Sequence, residues 1–398
     1  MGTLRQAIER QRERGMTVSD GSISIGNLQQ RFQPSPFGST RALIAKMLEG
    51  TTKNLPWAVI LCRFKGSSPD PALEEPIEKF YREIFTPGTG GLVEYWRDVS
   101  LGAIDISGSR VFGWLEIDIP RDQAAGSPPS GPGRSGLVDA AIRAVQGKED
   151  DPLNGFHSQI AVYTQNWSKD GAPAGADWRT PEWSPFWIDG SADGRGKVTL
   201  TPPHAGDITA HEMGHGFGME HDVSADFQTH YADPCCIMSQ TPLFMHPVWN
   251  VNFGPAVCLP HLIQREWMYS RRVFSDDGAW LSLPDGITLP LAQTSDPGAR
   301  ANLGIKLTNR NAEPSWDYYL EYAKPTGWNK GLSNAFLFIR RIGPGKDIGP
   351  TPAILGKIII PTTTGTKAQF VEPSGNVLFQ VERFDPEGRI VKVTAKKL

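Results

Sequence analysis

The apolar residues between positions 57 and 163 follow two alternating patterns. Residues 57–64 form a nearly continuous apolar run, which predicts a buried strand. The next stretch has apolar residues at helical spacing, at Leu73, Ile77, Phe80 and Ile84. This spacing predicts an amphipathic helix that ends before Pro87. A further strand is predicted at 159–163, so strands and helices alternate and we expect a mixed α/β layer.

Shorter elements fill the intervals of this layer. A short helix is predicted at 93–99, and two strands, joined by a turn, are predicted at 103–106 and 111–119. After a low-complexity loop, Ser135 is expected to cap a helix whose apolar stripe lies within 137–145.

The pattern changes again after about residue 276, where helical periodicity disappears and short β-like runs alternate with turn residues. The clearest signal is a hairpin between 377–384 and 389–393. Residues 1–54, by contrast, are polar and weakly periodic. We therefore predict an N-terminal extension at 1–54, whose role as a pro-segment stays open. We predict two domains after this extension. The first is an α/β (α+β) domain at 55–275, and the second is an all-β, sandwich-like domain at 276–398.

Composition excludes several classes of protein. Of the 398 residues, 39% are hydrophobic and 21% are charged, which is typical of a folded chain and not of a disordered one. The formal charge of -3 gives no basic excess, so we expect no nucleic-acid partner. The apolar runs are far shorter than the roughly 20 residues that span a bilayer, so we expect no membrane span. Residues 1–15 lack an apolar stretch, and no signal peptide is predicted in this chain.

The segment 207–222 carries the candidate chemistry. His211 and His215 are four residues apart, so on a helix both imidazoles lie on one face and can bind one Zn²⁺. Gly218 can adopt a positive φ, which would end the helix and bring His221 round as a third ligand. Glu212 can then reach a water in the fourth position, and this is the arrangement of a catalytic zinc site.

The spacing is specific. From residue frequencies alone, a bare HExxH arises in roughly one chain of this size in a hundred. Requiring Gly218 and His221 as well lowers that chance to about two in 100,000. Three unrelated histidines on a polar helix are therefore a poor explanation of this segment.

The motif HExxHxxGxxH is the signature of the metzincin metallopeptidases. Residues 211–222, HEMGHGFGMEHD, closely resemble its reprolysin form, and 235–239, with Met238, resemble the methionine turn found beneath the metzincin zinc. Outside the zinc motif, the chain is more similar to the gametolysin and immune-inhibitor-A-like peptidases, in residues 94–100 and 318–322. The resemblance touches the chain from about residue 57 to 335.

The resemblance implies a metzincin-like, zinc-dependent endopeptidase domain. The three histidines would hold one catalytic Zn²⁺, and Glu212 would act as general base on the zinc-activated water. Met238 would form a hydrophobic floor, and Asp222 would be a structural hydrogen-bonding group, with a direct metal role as the less favoured alternative. The substrates would be proteins or peptides, and the protein would be secreted. Oligomeric state is not predicted.

Two departures from the family pattern limit what is carried over. Some metzincins have a tyrosine two residues after the methionine of the turn, and Gln240 occupies that position here. A cysteine-switch pro-segment is not expected either, because the first cysteine, Cys62, lies inside the predicted first strand.

The remaining cysteines and histidines have weaker interpretations. Cys235 and Cys236 are adjacent and cannot comfortably pair with each other, so Cys258 is the favoured partner for one of them, with Cys62 left over or paired to the other. Such a bridge would indicate an oxidising compartment. His204 and His230 are expected to be surface or hydrogen-bonded histidines. The same interpretation applies to His157, His246 and His261.

Three other features concern substrate and ion binding. Trp178, Trp183 and Trp187 are expected to pack a loop onto the core, with lining of the cleft as the less favoured role. Residues 198–201 are strand-like, and metzincins use an edge strand in this region to pair with extended substrate. The acidic loop 189–194 lacks the spacing of a calcium loop, so a solvated turn is preferred to a structural Ca²⁺ site.

Two functions other than endopeptidase stay open. A zinc amidase acting on a non-protein amide would use the same constellation. An inactive metzincin-like protein whose β domain serves binding or adhesion is the other, although the intact Glu212 and the complete histidine set count against it.

Overall fold

The computed structural model describes residues 52–124, 132–146, 152–164, 196–202, 204–343, 350–383 and 385–398, together with strand segments at 17–19, 22–24 and 187–189. The helices are α1 (Pro71–Ile84), α2 (Leu92–Val99), α3 (Gly133–Gln146), α4 (Gly206–Gly216) and α5 (Leu259–Gln264). The strands in the first half are β1 (Thr17–Ser19), β2 (Ser22–Ser24), β3 (Lys53–Asn54), β4 (Trp57–Arg63), β5 (Ile104–Asp105), β6 (Arg110–Glu116), β7 (Ser158–Tyr163), β8 (Trp187–Asp189) and β9 (Lys197–Leu200). The later strands are β10 (Val223–Ser224), β11 (Phe244–Met245), β12 (Asn252–Phe253), β13 (Val273–Asp276), β14 (Ile287–Ala292), β15 (Gly304–Asn309), β16 (Trp316–Ala323), β17 (Phe336–Gly343), β18 (Thr351–Ile359), β19 (Lys367–Glu372), β20 (Val377–Arg383) and β21 (Ile390–Lys397).

A five-stranded sheet organises the first part of the chain. Its order is β6-β4-β7-β9-β8, and all pairs are parallel except the antiparallel pair of β8 with β9. The central strand β4 explains the continuous apolar run in the sequence. Its odd-numbered residues, from Trp57 to Leu61, face a core formed with α1, α2 and α4, whereas Ala58, Ile60 and Cys62 face α3. A parallel strand with helices on both faces is buried on both sides.

Most elements predicted for this layer are confirmed, but the structure differs from expectation in the partners of two strands and in the start of one helix. The strands predicted at 103–106 and 111–119 are present as β5 and β6, yet β5 pairs with β3 while β6 pairs with β4. Ser135 does not cap α3, because the helix already begins at Gly133. Strand partners and helix starts depend on contacts that lie outside the local pattern.

Two further sheets form the later part of the chain. The larger has the order β10-β18-β17-β16-β15-β13, and the smaller has the order β14-β21-β20-β19. Residues of both sheets, such as Leu320 and Ile339 of the larger and Phe379 and Val393 of the smaller, belong to one buried apolar cluster. Fully burying each aliphatic side chain contributes about 1.5–3 kcal/mol to stability. The predicted hairpin at 377–393 is confirmed by the antiparallel pair β20 and β21.

The molecule is therefore a mixed α/β protein with mostly strand and few helices among its described residues, which agrees with an α+β class. The larger sheet takes in β10, from the segment just after the histidine motif, and β13, at the predicted boundary near residue 275. The two parts also share packing, since Tyr319 and Trp328 join the apolar core of the first part. The domain boundaries stay predictions.

A buried ion-pair network ties the larger sheet to the segments around the histidine motif. The Arg340 guanidinium on β17 pairs with Asp233, and its Nη1 lies 2.6 Å from Oε2 of Glu321 on β16. The same carboxylate oxygen accepts a hydrogen bond from the backbone N–H of Leu259, at the start of α5, at 2.8 Å. All three charged side chains are buried, so their mutual pairing offsets the cost of desolvating them.

No helix in the described part of the chain is long and apolar enough to cross a membrane.

Candidate metal centre

Helix α4 carries the first two histidines and Glu212, and it is almost entirely buried. The buried position of this helix depends on a residue without a side chain. A Cβ at Gly214 would lie 2.6 Å from Sδ of Met238, so the absence of a side chain there lets the helix rest on the methionine turn. The helix end is anchored by Phe217, whose ring packs edge-on against Trp96 at 4.8 Å and Trp57 at 5.5 Å between centroids. These contacts fix the helix relative to the sheet.

The chain reverses direction just after α4. Gly218 has φ +81°, a conformation that side chains rarely adopt. The N–H of Gly218 donates to the carbonyl of His215 at 2.7 Å, and the N–H of Met219 donates to that of Gly214 at 3.1 Å. This turn returns the chain across the helix end and places His221 opposite the two helical imidazoles.

The structure brings the three predicted ligands together. Nε2 of His221 lies 3.2 Å from Nε2 of His211 and 2.9 Å from Nε2 of His215. Nδ1 of His211 lies 2.9 Å from the carbonyl oxygen of Ile237, and Nδ1 of His215 lies 2.7 Å from that of Met219. A carbonyl can only accept, so both Nδ1 atoms carry the proton and both Nε2 lone pairs face the shared centre.

Burial keeps these imidazoles neutral. It lowers the pKa of His215 to about 4 and that of His221 to about 3, with the neighbouring His215 as the next cause for His221. The pKa of His211 is lowered well below its usual range by burial and by the other two histidines. Neutral imidazole is the form that binds metals.

These observations form a test of whether a zinc ion fits the centre. Converging lone pairs repel one another unless a cation or a proton lies between them, and the lowered pKa values disfavour the proton. Backbone carbonyls that hold the outer nitrogen of a ligand histidine are the usual means of orienting it toward a metal. The donor set of three imidazoles suits Zn²⁺ and leaves its fourth position open. The residues present therefore fit the ion.

The segment that resembles a methionine turn packs against helix α4 and contacts His211. Ile237–Ser239 forms a short 3₁₀ helix in which Met238 is fully buried. The carbonyl of Ile237 is the partner of His211, so the turn orients a predicted ligand as well as supporting it. Gln240 follows with φ +52° and occupies the position at which some metzincins have a tyrosine.

One residue at this centre was missed from the sequence. The ring of Tyr231 lies 4.4 Å from that of His221 and 5.9 Å from that of His211. Partial burial and the negative charge of Glu212 raise the pKa of its phenol. Glu212 itself is buried. The signal in the sequence is weak, because a tyrosine ten residues after the last histidine belongs to no motif and reaches the site through a loop with positive φ at Tyr231.

Asp222, adjacent to the third histidine, contacts a second group of side chains. Its Oδ1 lies 3.1 Å from Nε2 of His261 and accepts a hydrogen bond from Sγ of Cys258 at 3.7 Å. His261 was expected to be an ordinary surface or hydrogen-bonded histidine. It is instead part of a buried cluster with Asp222. Among the others, His204 is buried and hydrogen-bonded between the hydroxyl of Tyr81 and a backbone carbonyl, and His230 is exposed.

Two expectations about the surroundings need correction. All four cysteines are free, so the disulfide considered for Cys258 is absent, although Cys236 is its neighbour. The strand at 197–200 is internal to its sheet, because β8 pairs with it on the outer side and is the edge strand. The side chains of the three tryptophans at 178, 183 and 187 and most of the acidic loop 189–194 lie outside the described residues.

Comparison with known proteins adds no assignment. No protein-family model matches the chain, and no curated protein matches it.

Proposed function

We propose that the protein is a zinc-dependent endopeptidase of metzincin type. One observation carries the proposal. Three Nε2 atoms converge on one point while backbone carbonyls hold two of the outer nitrogens, and a carboxylate follows the first of these histidines on the same helix. His221 is only partly buried, which supports access to the centre from outside, and a closed structural site would not need such access.

The chain's own residues supply the proton transfers. When bound, zinc would supply Lewis acidity and would lower the pKa of water towards about 7. Glu212 is assigned to accept a proton from the attacking water and to pass it to the leaving amine nitrogen. The oxygen of that water joins the carbonyl carbon, the C–N bond breaks, and the products are a carboxyl group and an amine.

Tyr231 is assigned a supporting role beside Glu212. A tyrosine phenol is protonated at neutral pH even at its ordinary pKa, and partial burial and Glu212 raise the pKa of this one further. The hydroxyl can therefore donate a hydrogen bond to the carbonyl oxygen as negative charge develops there. Tyr231 as a whole residue is 49% exposed, so an incoming substrate can approach it. The edge strand β8 is the element we expect to pair with an extended peptide.

Cleavage of a complex peptide mixture, with the new termini mapped by mass spectrometry, tests the proposal. The parent protein is compared with Glu212→Gln, which keeps the side-chain volume and removes the base. We expect cuts that a zinc chelator abolishes, and a loss on the order of 10²–10⁴-fold in the variant.

The bound zinc of each protein is the internal control. If Glu212→Gln still holds zinc but no longer cuts, the carboxylate acts in the chemistry and not in metal binding. Chelator-resistant cuts shared by both proteins would contradict the proposal. Zinc bound at the histidines without any cleavage of peptides would favour an amidase or a binding role instead.

A further inference from the structure

A second group of ligand-type side chains lies outside the three-histidine centre. Ligand atoms of Asp222, Cys236, Cys258 and His261 all lie within 4.8 Å of one another. All four residues are fully buried. They come from three segments: the loop after His221, the start of the methionine turn, and the beginning of α5.

In this group, a nitrogen of His261 and an oxygen of Asp222 face each other, and neither atom has a proton to donate to the other. Nδ1 of His261 lies 3.1 Å from Oε1 of Gln264, an acceptor, so Nδ1 carries the proton in the neutral ring and Nε2 has a free lone pair. That Nε2 lies 3.1 Å from Oδ1 of Asp222 without the geometry of a hydrogen bond. Oδ2 of Asp222 has no partner and is buried. An unpartnered buried carboxylate oxygen is costly, and a cation would satisfy it.

The two thiols complete the group. Sγ of Cys258 lies 3.7 Å from Oδ1 of Asp222, and Sγ of Cys236 accepts a weak hydrogen bond from the backbone N–H of Cys258 at 3.4 Å. Two sulfurs, an imidazole nitrogen and a carboxylate oxygen form a set that tetrahedral zinc accepts. Four protein ligands that are all shielded from solvent are typical of a structural zinc site. The set of three histidines, in contrast, leaves one coordination position open.

We propose that Asp222, Cys236, Cys258 and His261 bind a second zinc ion, with a structural role. Binding would release the thiol protons and form four protein–metal bonds among segments up to 39 residues apart, Asp222 to His261. Because Asp222 is bonded to His221 along the chain, the ion would also hold the third histidine of the first centre in place. A buried hydrogen bond from the backbone N–H of Leu259 to Glu321, at 2.8 Å, anchors the chain next to Cys258.

Cobalt substitution separates the two centres spectroscopically. The full chain is stripped of metal with a chelator under reducing conditions and refilled with Co²⁺. A thiolate bound to Co²⁺ gives a charge-transfer band in the near ultraviolet, and a ligand set of histidines gives none. We expect two Co²⁺ per chain together with this band.

Variants assign each ion to its site. The double variant His211→Gln with His215→Gln should keep one Co²⁺ and the full band, whereas Cys258→Ser should lose most of the band. Cys235→Ser is the matched control, because Cys235 neighbours Cys236 but donates to Asn329, at 3.6 Å, on another side. Its band should be unchanged.

The measurement on the parent protein alone is decisive, even if a variant does not fold. One Co²⁺ per chain without the band would overturn the second site while leaving the first intact. A mass increase on reduction that identifies a Cys236–Cys258 disulfide in the purified protein would also overturn it. The opposite outcome is one Co²⁺ per chain together with the charge-transfer band, which means that the three histidines bind no metal. That outcome would support the second site and count against the proposed peptidase.

Discussion

The two clusters of ligand-type side chains differ in how far apart their members lie in the sequence and in how open they are. The three histidines fall within residues 211–221, and one of them is only half buried. The second cluster extends from Asp222 to His261 and is completely buried. A short motif on one helix is visible from spacing alone, whereas a cluster assembled from three segments becomes visible only in the folded chain. Openness in turn separates a centre suited to catalysis from one suited to holding segments together.

The largest effect that separates the clusters is expected from His215→Gln. This change removes one of the three proposed zinc ligands, so we expect loss of the zinc bound at the three histidines and of all cleavage above background. Zinc analysis and the peptide assay measure both. His204→Gln is the matched control, because it changes an equally buried histidine that lies between the hydroxyl of Tyr81 and the carbonyl of Tyr163. Retained cleavage in His215→Gln would contradict its assignment as a ligand.

A stability effect of about 3–5 kcal/mol is expected for Arg340→Met, since it leaves the carboxylate of Asp233 buried without its partner. The guanidinium also donates to the carbonyl of Cys235, at 3.1 Å, so the frame beside the second cluster depends on it. Denaturant unfolding gives the free energy. Arg341→Met is the control: that guanidinium donates to an exposed carbonyl, at 2.7 Å, and we expect a loss under about 1 kcal/mol. Equal losses in the two variants would refute the role of the buried pair.

A smaller, local effect is expected for Gly218→Ala. A side chain at φ +81° costs about 1–2 kcal/mol, and its Cβ would lie 2.5 Å from Nη1 of Arg265. Gly66→Ala shares the positive φ, +75°, but its Cβ meets nothing within 4 Å. Both variants should lose stability, and only Gly218→Ala should also bind zinc more weakly at the histidines. Unchanged zinc affinity would mean that this turn does not position His221.

The features that were predictable from the sequence are those that depend on residues close together along the chain. Features that depend on contacts between distant segments were not predictable. The buried strand β4, helix α1 and the hairpin of β20 and β21 were predicted because periodicity is local. The partners of β5 and β9 were not, because pairing depends on which strands meet in space. The site shows the same limit, since the histidine motif was found by spacing, whereas Tyr231 and the partners of Asp222 depend on loops that bring distant residues together.

The smallest effect is expected for Tyr231→Phe. Removing one exposed hydrogen-bond donor should lower kcat by roughly tenfold, below the 10²–10³-fold typical of a fully enclosed oxyanion donor. KM and the zinc content should change little, because the ring and its packing against His221 remain. Steady-state kinetics on a peptide identified in the mixture gives both constants. A change in KM alone would assign Tyr231 to substrate binding instead.

Anomalous X-ray scattering at the zinc absorption edge, from crystals of the purified protein, tests the three-histidine centre most directly. We predict a peak about 2.0–2.1 Å from Nε2 of His211, His215 and His221, beside the carboxylate of Glu212. A folded protein crystallised with zinc and without a peak among these three nitrogens would contradict it.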